Sequence, residues 1–226
     1  MNTPLYLYIH GFNSSPQSYK ARHLGNWMKQ QGQGKRLLVP ELPYQPADAI
    51  VLLEELLAEQ RRRHQQPIVL LGSSLGGYYA TYLVETQGRE SNLSAVLINP
   101  SVRPFELLDV WLGENENIYT HERYLLTRGH LDQLLTLNRQ SLHDPSRYLL
   151  LTQTGDEVLD YREGVEKFAQ SRQVVTEGGD HGFQHFDSYW PTLFEFANDD
   201  ALKQQAEAYL KAMTSPADNA TNPADN

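Results

Sequence analysis

Short apolar runs recur along this chain, separated by amphipathic stretches, and that alternation sets the reading of its fold. Residues 5–9 (Leu-Tyr-Leu-Tyr-Ile), 36–39, 68–71, 94–99, 146–152 and 173–176 are rich in apolar and β-branched side chains. The most apolar of these runs, such as 68–71, suit strands buried on both faces. Between them, residues 17–31 carry Ala21, Leu24, Trp27 and Met28 at helical spacing, and residues 47–64 carry Ile50, Leu53, Leu56 and Leu57. Further helices are predicted over 78–87, 131–142, 160–169 and 187–197. Gly32-Gln33-Gly34 stops the first helix, and Pro40, Pro43 and Pro46 mark the loop after the run at 36–39. Arg61, Arg62, Arg63 and His64 read as cations at a helix C-terminus rather than as a binding patch.

Strands alternating with helices predict an α/β fold with a parallel sheet of about six strands covered by helices on both faces. In such sheets chemistry gathers at the carboxyl ends of the strands. One domain is expected over 1–198. Within it, 103–143 is too long for a plain crossover and shows no strand pattern. Residues 199–213 can form one more helix. Residues 214–226 contain Pro-Ala-Asp-Asn twice and no large apolar side chain, and are expected to be disordered.

Composition narrows the chemistry. A formal net charge of −9 argues against a nucleic-acid or anionic-membrane surface. The absence of cysteine removes disulfides, thiol nucleophiles and thiolate metal sites. No H-E-x-x-H or similar ligand spacing points to a metal, no cofactor is implied, and no apolar stretch approaches the ~20 residues of a membrane span. The N-terminus has no basic region ahead of a long apolar segment, so no signal peptide is read and a cytoplasmic location is expected.

The densest signal comes directly after the run at 68–71. Gly72-Ser73-Ser74-Leu75-Gly76 has the form G-x-S-x-G between a strand and a helix, the setting of a nucleophile elbow. A serine at positive φ in a tight turn crowds the flanking chain, and glycines two positions before and after relieve the crowding. A serine hydroxyl needs a general base, and the base needs an orienting acid. His181, just past the sixth strand, is the candidate base; His185 competes but lies closer to the next helix. Asp156, directly after the fifth strand, is the candidate acid. Its rival Asp160 fits a helix N-cap, with Glu163 three residues on. Asp180 adjoins the base and should point elsewhere. For the oxyanion, the backbone N–H groups of Leu75 and Phe12 are the candidate donors. Gly11 lets the first loop come close, and His10 braces it.

His10-Gly11-Phe12, Gly72–Gly77, Gly155–Asp160 and Gly179-Asp180-His181 together resemble the α/β-hydrolase superfamily, and more closely the small bacterial YqiA-type esterases. The resemblance runs from about Leu5 to Phe196. It implies a compact hydrolase acting on small-molecule esters or thioesters, with Ser74, Asp156 and His181 matching the family's triad. No nucleic-acid partner, membrane span or obligate protein partner is inferred. The superfamily strands ahead of Leu5 are missing, so a reduced, all-parallel sheet is expected. Amide cleavage and a non-catalytic binding protein of the same fold are the other readings. The insertion at 103–143 is expected to form a small lid. Its first part, with Phe105 and Trp111, is expected to wall an acyl pocket, while 131–142 packs back on the sheet.

Overall fold

The computed structural model describes residues 3–63, 65–88 and 92–214. It divides into two compact units, one running to Gln184 and one from His185. In the first unit, six strands form a parallel sheet: β1 (Leu5–Ile9), β2 (Leu37–Leu38), β3 (Ile68–Ser73), β4 (Leu93–Ile98), β7 (Tyr148–Gln153) and β8 (Arg172–Thr176). Their order across the sheet is β2-β1-β3-β4-β7-β8. Helices flank the sheet: α1 (Tyr19–Gln30), α2 (Pro46–Arg63), α3 (Leu75–Gln87) and α6 (Tyr161–Lys167). The central strands β1, β3 and β7 are buried at every position, as their unbroken apolar runs require, whereas the edge strand β8 is partly exposed.

Strand order reverses around β1 and β3. The chain leaves β1 for the edge strand β2, then returns through α2 to pair β3 on the other side of β1. The two loops leaving these strands therefore diverge, and a crevice opens at their carboxyl ends. Ile9 is in register with Gly72, and Ser73 with Ile98, so the loops after β1, β3 and β4 emerge at one level.

The insertion differs from expectation. It holds α4 (Pro104–Leu107), a 3-10 turn, and an antiparallel hairpin of β5 (Gly113–Glu116) and β6 (Arg123–Leu126), then α5 (Arg128–Thr136). The expectation of no strand here is corrected. The Gly-Glu-Asn-Glu strand has no apolar alternation to betray it, and only Tyr124 and Leu126 of its partner are buried. The helix expected over 131–142 starts earlier and ends at Thr136; the Thr127 N–H donates to His130 Nδ1 at 3.0 Å at its start. Leu131, Leu134 and Leu137 enter the main core cluster.

In the second unit a 3-10 turn over Phe186–Tyr189 leads into α7 (Trp190–Phe196), and α8 (Asp200–Thr214) comes last. Trp190 stacks on Tyr209 with ring centroids 5.5 Å apart. Thr214, expected in the tail, instead closes α8; the rest of that expected tail, 215–226, and His64 lie outside the described residues.

Candidate active site

Close packing of backbone forces the glycine pattern around Ser74. A Cβ on Gly72 would stand 2.5 Å from the Gly76 carbonyl oxygen, one on Gly76 1.9 Å from the Ile9 oxygen, and one on Gly77 2.6 Å from Pro100 Cβ. Helix α3 thus starts almost in contact with β1 and β3. Ser74, its N-cap, is held at φ 54° and ψ −121°. A non-glycine residue there carries strain of roughly 1–3 kcal/mol. The turn is fixed by Ser74 N–H donating to Ile98 O (3.1 Å), and by Ser74 O accepting from Gly77 (2.9 Å) and Ser101 (3.1 Å).

The loops after β7 and β8 bring the other two predicted groups to this serine. His181 Nε2 lies 3.1 Å from Ser74 Oγ. On its far side, Nδ1 lies 2.9 and 3.0 Å from the two oxygens of Asp156. The Asp156 side chain is 1% exposed, and Oδ1 also accepts from the Val158 and Leu159 N–H groups at 2.9 and 2.8 Å. A carboxylate so surrounded by donors is fixed in place, and it favours a proton on Nδ1, leaving Nε2 to accept from the serine. Asp160 is occupied elsewhere: it caps α6, accepts from Arg162 N–H and pairs with the Arg162 guanidinium. Asp180 turns away and accepts from Gln184 Nε2 at 2.8 Å. His185 begins the second unit in a left-handed conformation, φ 55°.

Two buried residues that the sequence reading missed hold the His181 loop. Asn99, past β4, donates to Asp180 O at 2.9 Å, and its Oδ1 accepts from Gln153 N–H at 2.9 Å. Gln153 Oε1 accepts from Asp180 and Gln184 N–H at 3.3 and 2.8 Å, while its Nε2 donates to Gln184 O at 2.9 Å. The one available signal was polar side chains ending otherwise apolar strands. The His181 N–H itself donates to Glu157 Oε2 at 3.0 Å.

Across the crevice, a Cβ on Gly11 would lie 3.1 Å from Ser74 Cβ, so the loop after β1 runs directly against the serine. His10 donates from Nδ1 to Gly11 O (3.1 Å) and accepts at Nε2 from Leu42 N–H (3.3 Å). Burial holds its pKa below the ordinary value, with the Gly11 bond opposing, and this neutral tautomer fits the bracing role. Among the described residues, no protein acceptor takes the N–H of Phe12 or of Leu75. The hairpin β5–β6 grips the same loop. Asn117 Nδ2 donates to Ser14 O at 2.9 Å, the Tyr124 hydroxyl donates to Asn13 Oδ1, and the Phe12 ring meets Trp111 and Tyr124 edge-on at 6.0 and 6.5 Å.

Ser74 and His181 open into a cavity of about 300 Å³ whose lining includes Phe12, Tyr19, Lys20, Ile118 and Tyr119. Trp111 reaches this site through Phe12 and not as a lining residue. Phe105 does not reach it: it lines a separate open cavity with Arg103, Leu135 and Lys167, because α4 folds toward α5. Sequence reasoning chose Phe105–Trp111 and missed Ile118 and Tyr119 at the tip of the hairpin. Among the described residues, no group of three His, Asp or Glu side chains is arranged to hold a metal, and no helix is long and apolar enough to cross a membrane.

Solved structures share this architecture. Est1E from Butyrivibrio proteoclasticus, with ferulic acid bound, matches at a TM-score of 0.62 and 14% identity, over 93% of this chain and 90% of that one. The monoacylglycerol lipase of Paleococcus ferrophilus matches at 0.57 and 16%, over 90% and 96%. Mouse alpha/beta hydrolase domain-containing protein 10 matches at 0.56 and 16%, over 94% and 91%. At these identities the likeness establishes an α/β-hydrolase fold. A family model matches residues 5–198, and the chain therefore belongs to the uncharacterised protein family UPF0227.

Proposed function

We propose that the protein is a serine hydrolase that cleaves small carboxylic esters or acyl thioesters through an acyl-enzyme. Ser74 Oγ attacks the acyl carbonyl, and His181 Nε2 takes the hydroxyl proton and returns it to the leaving group. Asp156 holds the imidazole and stabilises the imidazolium as it forms. The Phe12 and Leu75 N–H groups receive the negative oxygen, and a donor of this kind is worth about 3–4 kcal/mol of barrier. Water, activated by the same histidine, then releases the acid. No metal or organic cofactor takes part in these steps. The observation that carries the reading is the unbroken run from Ser74 Oγ to His181 Nε2 at 3.1 Å and on to Asp156 at 2.9 Å.

The acyl group enters the cavity beside Phe12, Ile118 and Tyr119, and Trp111 contributes by backing the Phe12 ring. A fluorophosphonate probe should label Ser74 alone, and hydrolysis of p-nitrophenyl and CoA esters should vanish in Ser74→Ala. Labelling or turnover that survives in that variant overturns the assignment.

A further inference from the structure

We infer that Lys20 is a carboxylate-binding group of the Ser74 cavity, and that the preferred substrates are short esters bearing a carboxylate a few bonds from the scissile carbonyl. The inference rests on the serine hydrolase reading for its reaction, but not for its binding site. The chain carries 28 acidic and 19 basic residues, yet among the described residues no carboxylate lines this cavity and Lys20 is the one lysine or arginine that does. His10, also in the lining, is committed to the loop as a neutral bridge.

Lys20 is the second residue of α1, a position from which a lysine can extend into solvent. Instead its Nζ turns into the crevice and donates to Gly182 O at 2.7 Å, one residue past His181. An ammonium has three N–H groups, so two are left for a ligand. Burial brings its pKa down from an ordinary 10.5 to about 8, against the opposing fields of Asp180 and Asp156. The group is thus partly desolvated before any ligand arrives. It also stands near an imidazole that becomes positive during turnover, a repulsion that Asp156 offsets in part and a substrate carboxylate would offset further. A bound carboxylate relieves both costs. The cavity of about 300 Å³ lies at the small end of ligand sites, which excludes a long acyl chain folded within it. Tyr19, Ile118 and Tyr119 supply apolar lining to the same cavity.

Three chromogenic esters test this. 4-Nitrophenyl hexanoate is neutral, mono-4-nitrophenyl adipate carries the carboxylate on the acyl side, and 3-carboxy-4-nitrophenyl hexanoate carries it on the alcohol side. One acid ester should exceed the neutral one at least tenfold in kcat/KM, chiefly through KM, and which one it is identifies the side that Lys20 reads. That ratio should fall about tenfold in Lys20→Met and also in Lys20→Gln, which keeps a donor for the Gly182 carbonyl, and should partly persist in Lys20→Arg. The inference is overturned if neither acid ester is preferred, if the preference survives in both uncharged variants, or if all three esters slow in proportion, which would reduce Lys20 to a tether for the His181 loop. Failure of the reaction itself reads differently: no ester turns over and the probe leaves Ser74 unlabelled. Adipate should still raise the melting temperature of Ser74→Ala and not of Ser74→Ala/Lys20→Met; loss of that difference overturns the anion site.

Discussion

Substitution of Gly76 by alanine tests whether the approach of α3 to β1 sets the proposed oxyanion donors, the N–H groups of Phe12 and Leu75. The new methyl would start 1.9 Å from the Ile9 carbonyl oxygen, 2.6 Å from its carbon and 2.8 Å from the His10 oxygen. All three are backbone atoms of a central strand end, so no side chain can swing aside. Restoring an ordinary 3.4 Å contact requires about 1.5 Å of separation between the start of α3 and the end of β1. Leu75 N–H rides on α3 and Phe12 N–H on the loop from β1, so this displacement falls between the two donors. Donors act at about 2.7–3.1 Å, and losing one costs roughly 10²–10³ in kcat. Overpacking at a site that cannot relax costs about 3 kcal/mol or more. For a chain of this size that is a fall of roughly 6–12 °C in melting temperature.

Gly25→Ala is the matched control. It lies inside α1, where among the described residues a Cβ meets only Leu37 Cδ2, at 3.5 Å. Helix propensity should make it stabilising by about 0.5–1 kcal/mol. The assay is a pair of thermal melts with fluorophosphonate labelling rates and kcat on 4-nitrophenyl hexanoate. If Gly76→Ala melts within about 2 °C of the parent and labels at the parental rate, close approach does not set the donors and the reasoning fails.

Three further outcomes are expected. Asp156→Asn and His181→Ala should each lower kcat by about 10³–10⁴, whereas Asp160→Asn should cost only a helix cap of about 1 kcal/mol in melts; a crippled Asp160→Asn would reassign the acid. Trp111→Ala should lower kcat on a neutral ester about three- to tenfold, matching the ~0.5–1.5 kcal/mol of an aromatic edge contact on Phe12; a change confined to acyl-length preference would make it a pocket wall instead. Lys167, half-buried over the Tyr78 and Phe168 rings, has its pKa lowered by desolvation to about 8, with Glu85 opposing. Because the unfolded chain keeps this proton up to about 10.5, native stability should rise between pH 8 and 10.5. Lys167→Met should accordingly gain about 1–2 kcal/mol at pH 7 in denaturant melts, a gain that shrinks toward pH 10.5; a pH-independent difference would refute it.

The sequence made legible whatever local chemistry dictates. The spacing of Gly72, Ser74 and Gly76 needs no tertiary knowledge, because only glycine tolerates such an approach of strand, turn and helix. Asp156 separated from Asp160 because a helix cap is recognisable from the residues just after it: Asp160 does accept from the N–H two residues on. The sheet was legible because buried parallel strands must be apolar throughout. The hairpin was not. Glu114, Asn115 and Glu116 carry no alternation; they pair with Arg123–Leu126, and Asn117 just past them bonds Ser14 O far earlier in the chain. Lys20 was illegible for a related reason, since a lysine in the first turn of an amphipathic helix reads as solvated until the loop bearing Gly182 is folded against it.

The hairpin's contacts bear on how the insertion works. The loop over His10–Asn13 is held between two bodies: Ser74 presses on Gly11 from one side, and Asn117, Tyr124 and Trp111 hold Ser14, Asn13 and Phe12 from the other. Asn13 sits at φ 49°, a conformation a short polar side chain tolerates but does not seek, and the Tyr124 hydroxyl bond fixes its side chain there. The position of the Phe12 N–H is therefore set by the insertion as much as by β1. A cover that merely screened the cavity could vary freely in its contacts with the rim. The hairpin is instead bonded to the loop that carries a proposed oxyanion donor, so the Asn117 and Tyr124 contacts bear on where that donor stands as well as on the wall of the cavity.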